Sequence, residues 1–427
     1  MLKTIKIFSI ILLFIGYLRG QKSPVNCQIK LNTLKTGDTF RHKLIIIKGL
    51  ITCPTFSNTY KNTLDPTTGR FIQINNLKIG SYVSKIDSNW PISTFHEFKS
   101  LALLTQGINT LKLTYSYLNE KAELSLNITM DQSQDNKLEP LHLVIFYNKD
   151  SRKLFDMDPK TKLTESNDLS SAIKRFQTIA RLWQAFNSEQ LNLNGQGYKS
   201  FRFQEDSNGD PIINVIQSDI TVKQYYDLGK ANDQNLISLV DENIRKNPLF
   251  KKKTTNPLQA VALLLDANLD PVKKNAMGHT ALGGNGSTVS LGVFGSHLML
   301  GWPESFKQLI NRLTDRTPID RDYVVDDSSP FKFKCFNVGT GAMLHEVGHS
   351  LGLAHTSGIM GRGFDYLNRA FISIEPDTST NNGFLPIRHN EDLGLFSNPI
   401  WNSNDTVILA RHVSFSLPNS GIIFFIF

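Results

Sequence analysis

One stretch of eleven residues limits the fold more than any other: His345-Glu346-Val347-Gly348-His349-Ser350-Leu351-Gly352-Leu353-Ala354-His355. His345 and His349 are four apart, so on a helix their rings stack on one face and can share an ion. His355 cannot join them if the helix simply continues. At ~1.5 Å per residue it would stand about 15 Å further along the axis than His345. The helix must end between His349 and His355, and Gly352 is placed to end it, because glycine enters the left-handed region without Cβ strain. The chain then doubles back and delivers the third imidazole. Three histidines suit one Zn²⁺ ion with a fourth position open to water. Glu346 follows the first ligand directly. It reaches that water rather than the metal and can serve as general base. Five fixed positions in eleven arise by chance in a chain of this length about once in 10⁴ sequences of average composition, so the segment is read as a site. Gly339-Thr340-Gly341 is read as the flexible start of the helix, with Ala342, Met343 and Leu344 carrying it to His345. Glu375 offers an alternative third ligand.

The chain has 427 residues, enough for two or three domains. Hydrophobic residues make up 40% and charged residues 20%, the balance of a folded chain. Its formal charge is +8, but no long Lys/Arg run concentrates it, so the basicity is assigned to solvated surface and no nucleic-acid partner is expected.

Lys3 and Lys6, then the apolar run Ile7 to Leu18, read as a secretory signal peptide over residues 1–20. An uncleaved signal anchor is the alternative. Nothing further on is long enough to span a bilayer, which needs ~20 apolar residues. A secreted or extracellular location follows. In that oxidising setting Cys27 and Cys53 are expected to form a disulfide. Cys335 is left over, as a buried free thiol or as a thiol that caps the zinc. Asn127, Asn285 and Asn404 head N-x-[ST] sequons and are candidate glycosylation sites.

Residues 24–135 are rich in short β runs separated by turns, which predicts an all-β sandwich-like N-terminal domain. Leu44–Ile51, Thr110–Tyr117 and Ala122–Met130 are its clearest strands. Lys35-Thr36-Gly37-Asp38 reads as a β-turn. Polar residues 131–137 form a linker. An α/β (α+β) catalytic domain is expected over 138–400. In it Leu141–Tyr147 and Pro211–Ile216 are read as strands, Asp168–Leu191 and Pro257–Ala267 as helices, and Gly283–Leu300 as β-prone. Residues 401–427 are read as a C-terminal β extension, because Ile422–Phe427 is strand-like and the chain stops within it. That suggests a truncated end.

The eleven-residue motif resembles that of the metzincin clan of zinc metalloproteases. Ser357-Gly358-Ile359-Met360-Gly361 is similar to the clan's Met-turn, with four residues between His355 and Met360. The resemblance implies that Met360 forms a hydrophobic floor beneath the zinc, and that a nearby tyrosine, Tyr366, steadies the transition state. It also implies an edge strand above the zinc, placed at Val289–Leu300, that aligns a peptide substrate. His279 and His297 are then structural or on the substrate side. Lys35–Asp38 faintly resembles an aspartate switch. A narrower resemblance is to a zinc metallopeptidase family seen largely in fungi. It rests on His355–Asp365, Leu367–Phe371, Ala180–Phe186 and Leu282-Gly283-Gly284 with Phe294, Ser296 and Trp302-Pro303.

The expected activity is endopeptidase cleavage of protein or peptide substrates. Two alternatives stand beside it: an adhesion or binding protein on an inactive protease scaffold, and a non-peptide zinc amidohydrolase. The partner of the N-terminal domain is not legible in the sequence.

Overall fold

The computed structural model describes residues 25–54, 69–78, 89–133, 138–250, 256–327, 330–379, 383–388 and 398–415. The expected signal peptide and the Ile422–Phe427 run lie outside these residues.

The N-terminal part is built from β1 (Val25–Asn26), β2 (Gln28–Leu31), β3 (Thr39–Phe40), β4 (Leu44–Thr52), β5 (Phe71–Asn76), β6 (Asn89–Pro91), β7 (Glu97–Leu103), β8 (Gly107–Tyr117) and β9 (Glu120–Met130). One sheet runs β1-β9-β8-β5-β6, with β3 also paired to β9, and a second runs β2-β4-β7. Alternation explains the layering. Along β8, Leu111, Leu113 and Tyr115 are buried while Lys112, Thr114 and Ser116 face the other way. The inward residues of both sheets join one core with Ile47, Phe98 and Trp90. Cys27 and Cys53 form a disulfide beside the β2–β4 pair. Lys35–Asp38 is a turn: Asp38 N–H bonds the Lys35 carbonyl at 3.2 Å, and Gly37 has φ +94°.

A second body follows. A five-stranded sheet has the order β11-β10-β12-β16-β15, where β10 is Leu141–Tyr147, β11 Ile213–Gln217, β12 Leu258–Leu264, β15 Leu282–Gly284 and β16 Val289–Gly295. The short pair β13 (Asn268–Leu269) and β14 (Ala276–Met277) lies between β12 and β15 in sequence. The first four strands of the sheet order are parallel, and β15 is antiparallel to β16. Both faces are covered, as parallel sheets require. Leu143, Ile145, Val261 and Leu263 face the core that holds the long helix Leu169–Leu193 and the site helix Lys332–Ser350. Val144, Phe146, Ala260 and Ala262 face helices Val222–Ala231 and Gln234–Lys246.

The long helix starts at Asp168, whose carboxylate accepts from Ser171 N–H at 2.8 Å. It is buried along almost its whole length because both bodies pack on it. Glu189 on its far side takes a buried ion pair from Lys48 of β4 at 2.5 Å. The β part and the α/β part therefore share one continuous core.

Three expectations need correction. Pro257–Ala267 holds strand β12, not a helix. A short apolar run buried on both faces carries no periodicity to separate the two states, and pairing between β10 and β16 decides it. Residues 403–411 form a helix, not part of a β extension. Asn402 caps it by accepting from Asp405 N–H at 2.8 Å. Gly339 and Gly341 are not a helix start, since the site helix begins at Lys332. They are mid-helix because neighbours pass too close for a side chain. A Cβ on Gly339 would stand 2.6 Å from Trp302 Nε1, and one on Gly341 would collide with the Phe364 backbone.

Candidate active site

The site helix carries His345, Glu346 and His349 and stops just after them. Leu353 N–H bonds the Gly348 carbonyl at 2.9 Å, and Gly352 N–H bonds the His349 carbonyl at 3.0 Å. Gly352 sits at φ +88°. This is a Schellman closure, the break that the spacing to His355 demands. The chain turns back, and the His355 ring meets the other two.

The Nε2 atoms of His345 and His349 lie 3.0 Å apart, as do those of His349 and His355. Among the described residues these three histidines form a cluster able to hold an ion. Their spacing is near the ~3.3 Å expected of nitrogens sharing a tetrahedral zinc ion. Each helical histidine is oriented through its other nitrogen. His345 Nδ1 lies 2.7 Å from the Ile359 carbonyl, and His349 Nδ1 lies 2.9 Å from the Leu353 carbonyl. An Nδ1–H that donates to a carbonyl leaves Nε2 unprotonated and ready to bind metal. Burial works the same way, holding His345 down to about 4 and lowering His349. A soft-to-borderline, nitrogen-only set of this kind fits Zn²⁺.

Glu346 is buried, and its Oε2 has no hydrogen-bond partner among the described residues. Burial pushes its carboxyl up to about 8. A divalent cation beside it would oppose that shift by favouring the carboxylate.

The wall is made of glycines. A Cβ on Gly283 of β15 would stand 2.6 Å from the Glu346 carbonyl and 2.7 Å from His349 Cβ. A Cβ on Gly292 of β16 would stand 2.6 Å from the same carbonyl. The sheet can lie this close only because both positions lack side chains. The expected edge strand is thus displaced: β16 is interior, and β15 is the edge. Below the helix, Met360 packs its sulfur against Gly348.

Several other sequence candidates stand apart from the histidines. The Tyr366 ring lies between Lys334 and Arg369, 4.8 Å and 4.2 Å from its centroid. It makes no ring contact with the three histidines among the described residues. Its segment runs back along the helix, with Asn368 N–H bonded to Asn337 at 2.8 Å. The aromatic at the site is Phe364, edge-on to His345 at 5.6 Å, which the sequence reading missed. Glu375 is buried and engaged by Arg369 at 2.5 Å. Cys335 is a buried thiol outside the disulfide, packed against Gly301, its pKa pushed up to about 12 by burial. The His279 and His297 rings lie 4.3 Å apart, tilted at 58°, and His279 Nδ1 accepts from Gly295 N–H. Asn127, Asn285 and Asn404 are all exposed.

Residues 28–423 match a family described as "Putative peptidase family". A protein of Saccharomyces cerevisiae named as a putative zinc metalloproteinase is 32% identical over 346 residues, covering 75% of this chain and 48% of its own length. A protein of Schizosaccharomyces pombe with the same description is 28% identical over 353 residues, covering 78% of this chain and 53% of its own. The chain spans about half the length of these curated relatives. Among solved structures, wild-type OgpA from Akkermansia muciniphila aligns with a TM-score of 0.39 at 16% identity, over 68% of this chain and 65% of that one. The extent of the family match and the identity to the Saccharomyces protein place this chain in the "Putative peptidase family".

Proposed function

We propose that the chain is a secreted zinc-dependent endopeptidase of the metzincin type, holding one zinc ion on His345, His349 and His355. The observation that carries this reading is the convergence of three Nε2 atoms, with Glu346 buried next to His345 in the chain and the edge strand β15 packed against the same helix. The names of the fungal relatives agree with it.

A bound zinc ion supplies Lewis acidity and activates water near neutral pH. The protein does the rest. Ile359 and Leu353 carbonyls hold the two helical imidazoles in the metal-binding tautomer. Glu346 Oε2 takes the proton of the attacking water and passes it to the leaving amine. The buried setting of Glu346 keeps bulk water from competing for that proton. The free edge of β15 pairs with an extended peptide by main-chain hydrogen bonds, laying the scissile bond across the histidines. Gly283 lets that strand lie directly against the site helix. Met360 is the floor that supports the helix from beneath.

Secretion is supported by the Cys27–Cys53 disulfide, which belongs in an oxidising compartment. Glycans on Asn127, Asn285 and Asn404 are part of the same reading. No helix among the described residues is long and apolar enough to cross a membrane.

The test is cleavage of a proteome-derived peptide library by the purified chain, with and without a chelator, alongside Glu346→Ala. Chelator-sensitive cleavage that Glu346→Ala abolishes is expected. Cleavage retained by that variant would overturn the mechanism.

A further inference from the structure

His345 and His349 ride on a helix and have carbonyls to orient them. His355 stands on an exposed, irregular segment, and among the described residues no such partner meets its Nδ1. Something else must hold that segment in place. The structure supplies it from residues 398–405. Trp401 is buried against the long helix, its Nε1–H donating to Asn187 at 2.9 Å and its ring 5.9 Å from Phe186. From this anchor two contacts reach forward. The Ile400 carbonyl accepts from Ile359 N–H at 2.8 Å, and Ile359 in turn offers its carbonyl to His345. Gly358 has no room for a Cβ against the Ile400 carbonyl, so the approach is backbone on backbone. Asp405, buried in the first turn of the Ser403–Arg411 helix, accepts from the Thr356 hydroxyl at 3.0 Å. Thr356 is the residue after His355, and its N–H bonds the Met360 carbonyl at 3.2 Å.

We propose that Asp405, through Thr356, is a positioning residue for the third metal ligand, and that segment 398–405 is a strap clamping the turn from His355 to Met360. This rests on the zinc reading above. A flexible ligand must be ordered when the ion binds, and that entropy weakens binding. A carboxylate–hydroxyl bond made beforehand removes part of the cost, as outer partners of metal ligands do elsewhere. The buried carboxylate is well suited, since a charge-assisted bond is stronger than a neutral one. The strap also explains why a C-terminal helix belongs to the site although it contributes no ligand.

The experiment measures the zinc dissociation constant of full-length apoprotein by chelator competition for wild type, Asp405→Ala, Thr356→Val, Thr356→Ser and the double variant Thr356→Val/Asp405→Ala. Thermal unfolding of each apoprotein is recorded in parallel. Asp405→Ala and Thr356→Val should each weaken zinc binding about 10-fold. The double variant should be no weaker than either single one, because both cut the same path. Thr356→Ser should bind like wild type. Peptide KM should hold while kcat at limiting zinc falls. Thr356 is exposed, so its variants keep the test open if Asp405→Ala fails to fold. Unchanged zinc affinity in Thr356→Val, or equal losses in Thr356→Ser and Thr356→Val, would overturn the strap alone. Wild type that binds no zinc would overturn the functional reading and the strap with it.

Discussion

Met360 packs its sulfur against Gly348, the residue before His349, where a Cβ would have no room. The turn beneath the histidines therefore touches the site helix at a point that lacks a side chain. We predict that Gly348→Ala forces the two apart and costs about 1–3 kcal/mol, the usual range for overpacking a tight core. Thermal unfolding measures the loss, and zinc affinity should fall with it. Met360→Leu keeps the volume and should cost less than about 1.5 kcal/mol. Equal stability of Gly348→Ala and wild type would contradict the close contact.

Glu346→Gln keeps the shape of the side chain and removes its basicity. Peptide hydrolysis should fall by roughly 10²–10⁴-fold, with zinc content per chain unchanged. Metal analysis together with initial rates separates this from loss of the ion. His345→Ala should instead lower both zinc content and rate.

Tyr366→Phe should leave kcat near the wild-type value, because the ring lies between Lys334 and Arg369 rather than at the histidines. Phe364→Ala should matter more, since that ring meets His345 edge-on. Rates on one peptide under matched conditions compare the two. A large kcat loss in Tyr366→Phe would restore the role that the clan resemblance implies.

His42 is buried, without a hydrogen-bond partner on either ring nitrogen among the described residues, and burial with nearby Arg181 holds its pKa down to about 3. The unfolded state takes up the proton near pH 6.5, so it binds more protons than the native state below that pH. Stability is then full above pH 6.5 and is lost as pH falls toward 3, by about 1.4 kcal/mol per unit from this one group. His42→Gln should flatten that slope in denaturant titrations between pH 7 and 4. Parallel curves for variant and wild type would count against it.

Gly292→Ala directs a methyl at the Glu346 carbonyl, 2.6 Å away. Backbone cannot step aside as a flexible side chain can, so we expect a loss of about 1–3 kcal/mol and a lower kcat as the helix shifts. Gly284→Ala, where a Cβ meets nothing within 4 Å, is the control. Similar losses in both would show that loss of glycine flexibility, not contact with the helix, is responsible.

The order of the histidines along the chain already carried the site's local geometry. A spacing of four from His345 to His349 set one helical face, and a spacing of ten to His355 required a break that Gly352 makes through its left-handed φ. These are short-range consequences of helix pitch and of a missing Cβ, so they were legible in one dimension. The alternating strands of the β part were legible for the same reason. What the linear pattern left open depended on neighbours distant in sequence. Pro257–Ala267 carries no periodicity, and only pairing with β10 and β16 makes its middle a strand. Gly339 and Gly341 read as a flexible start until Trp302 and the Phe364 backbone show why side chains are excluded there. Tyr366 and Phe364 are two residues apart, and only the direction of the chain along the helix decides which ring meets His345. The clustering of the three histidines followed from local backbone rules, whereas the contacts of Gly283, Gly292, Met360 and segment 398–405 come from segments that meet only once the core has packed.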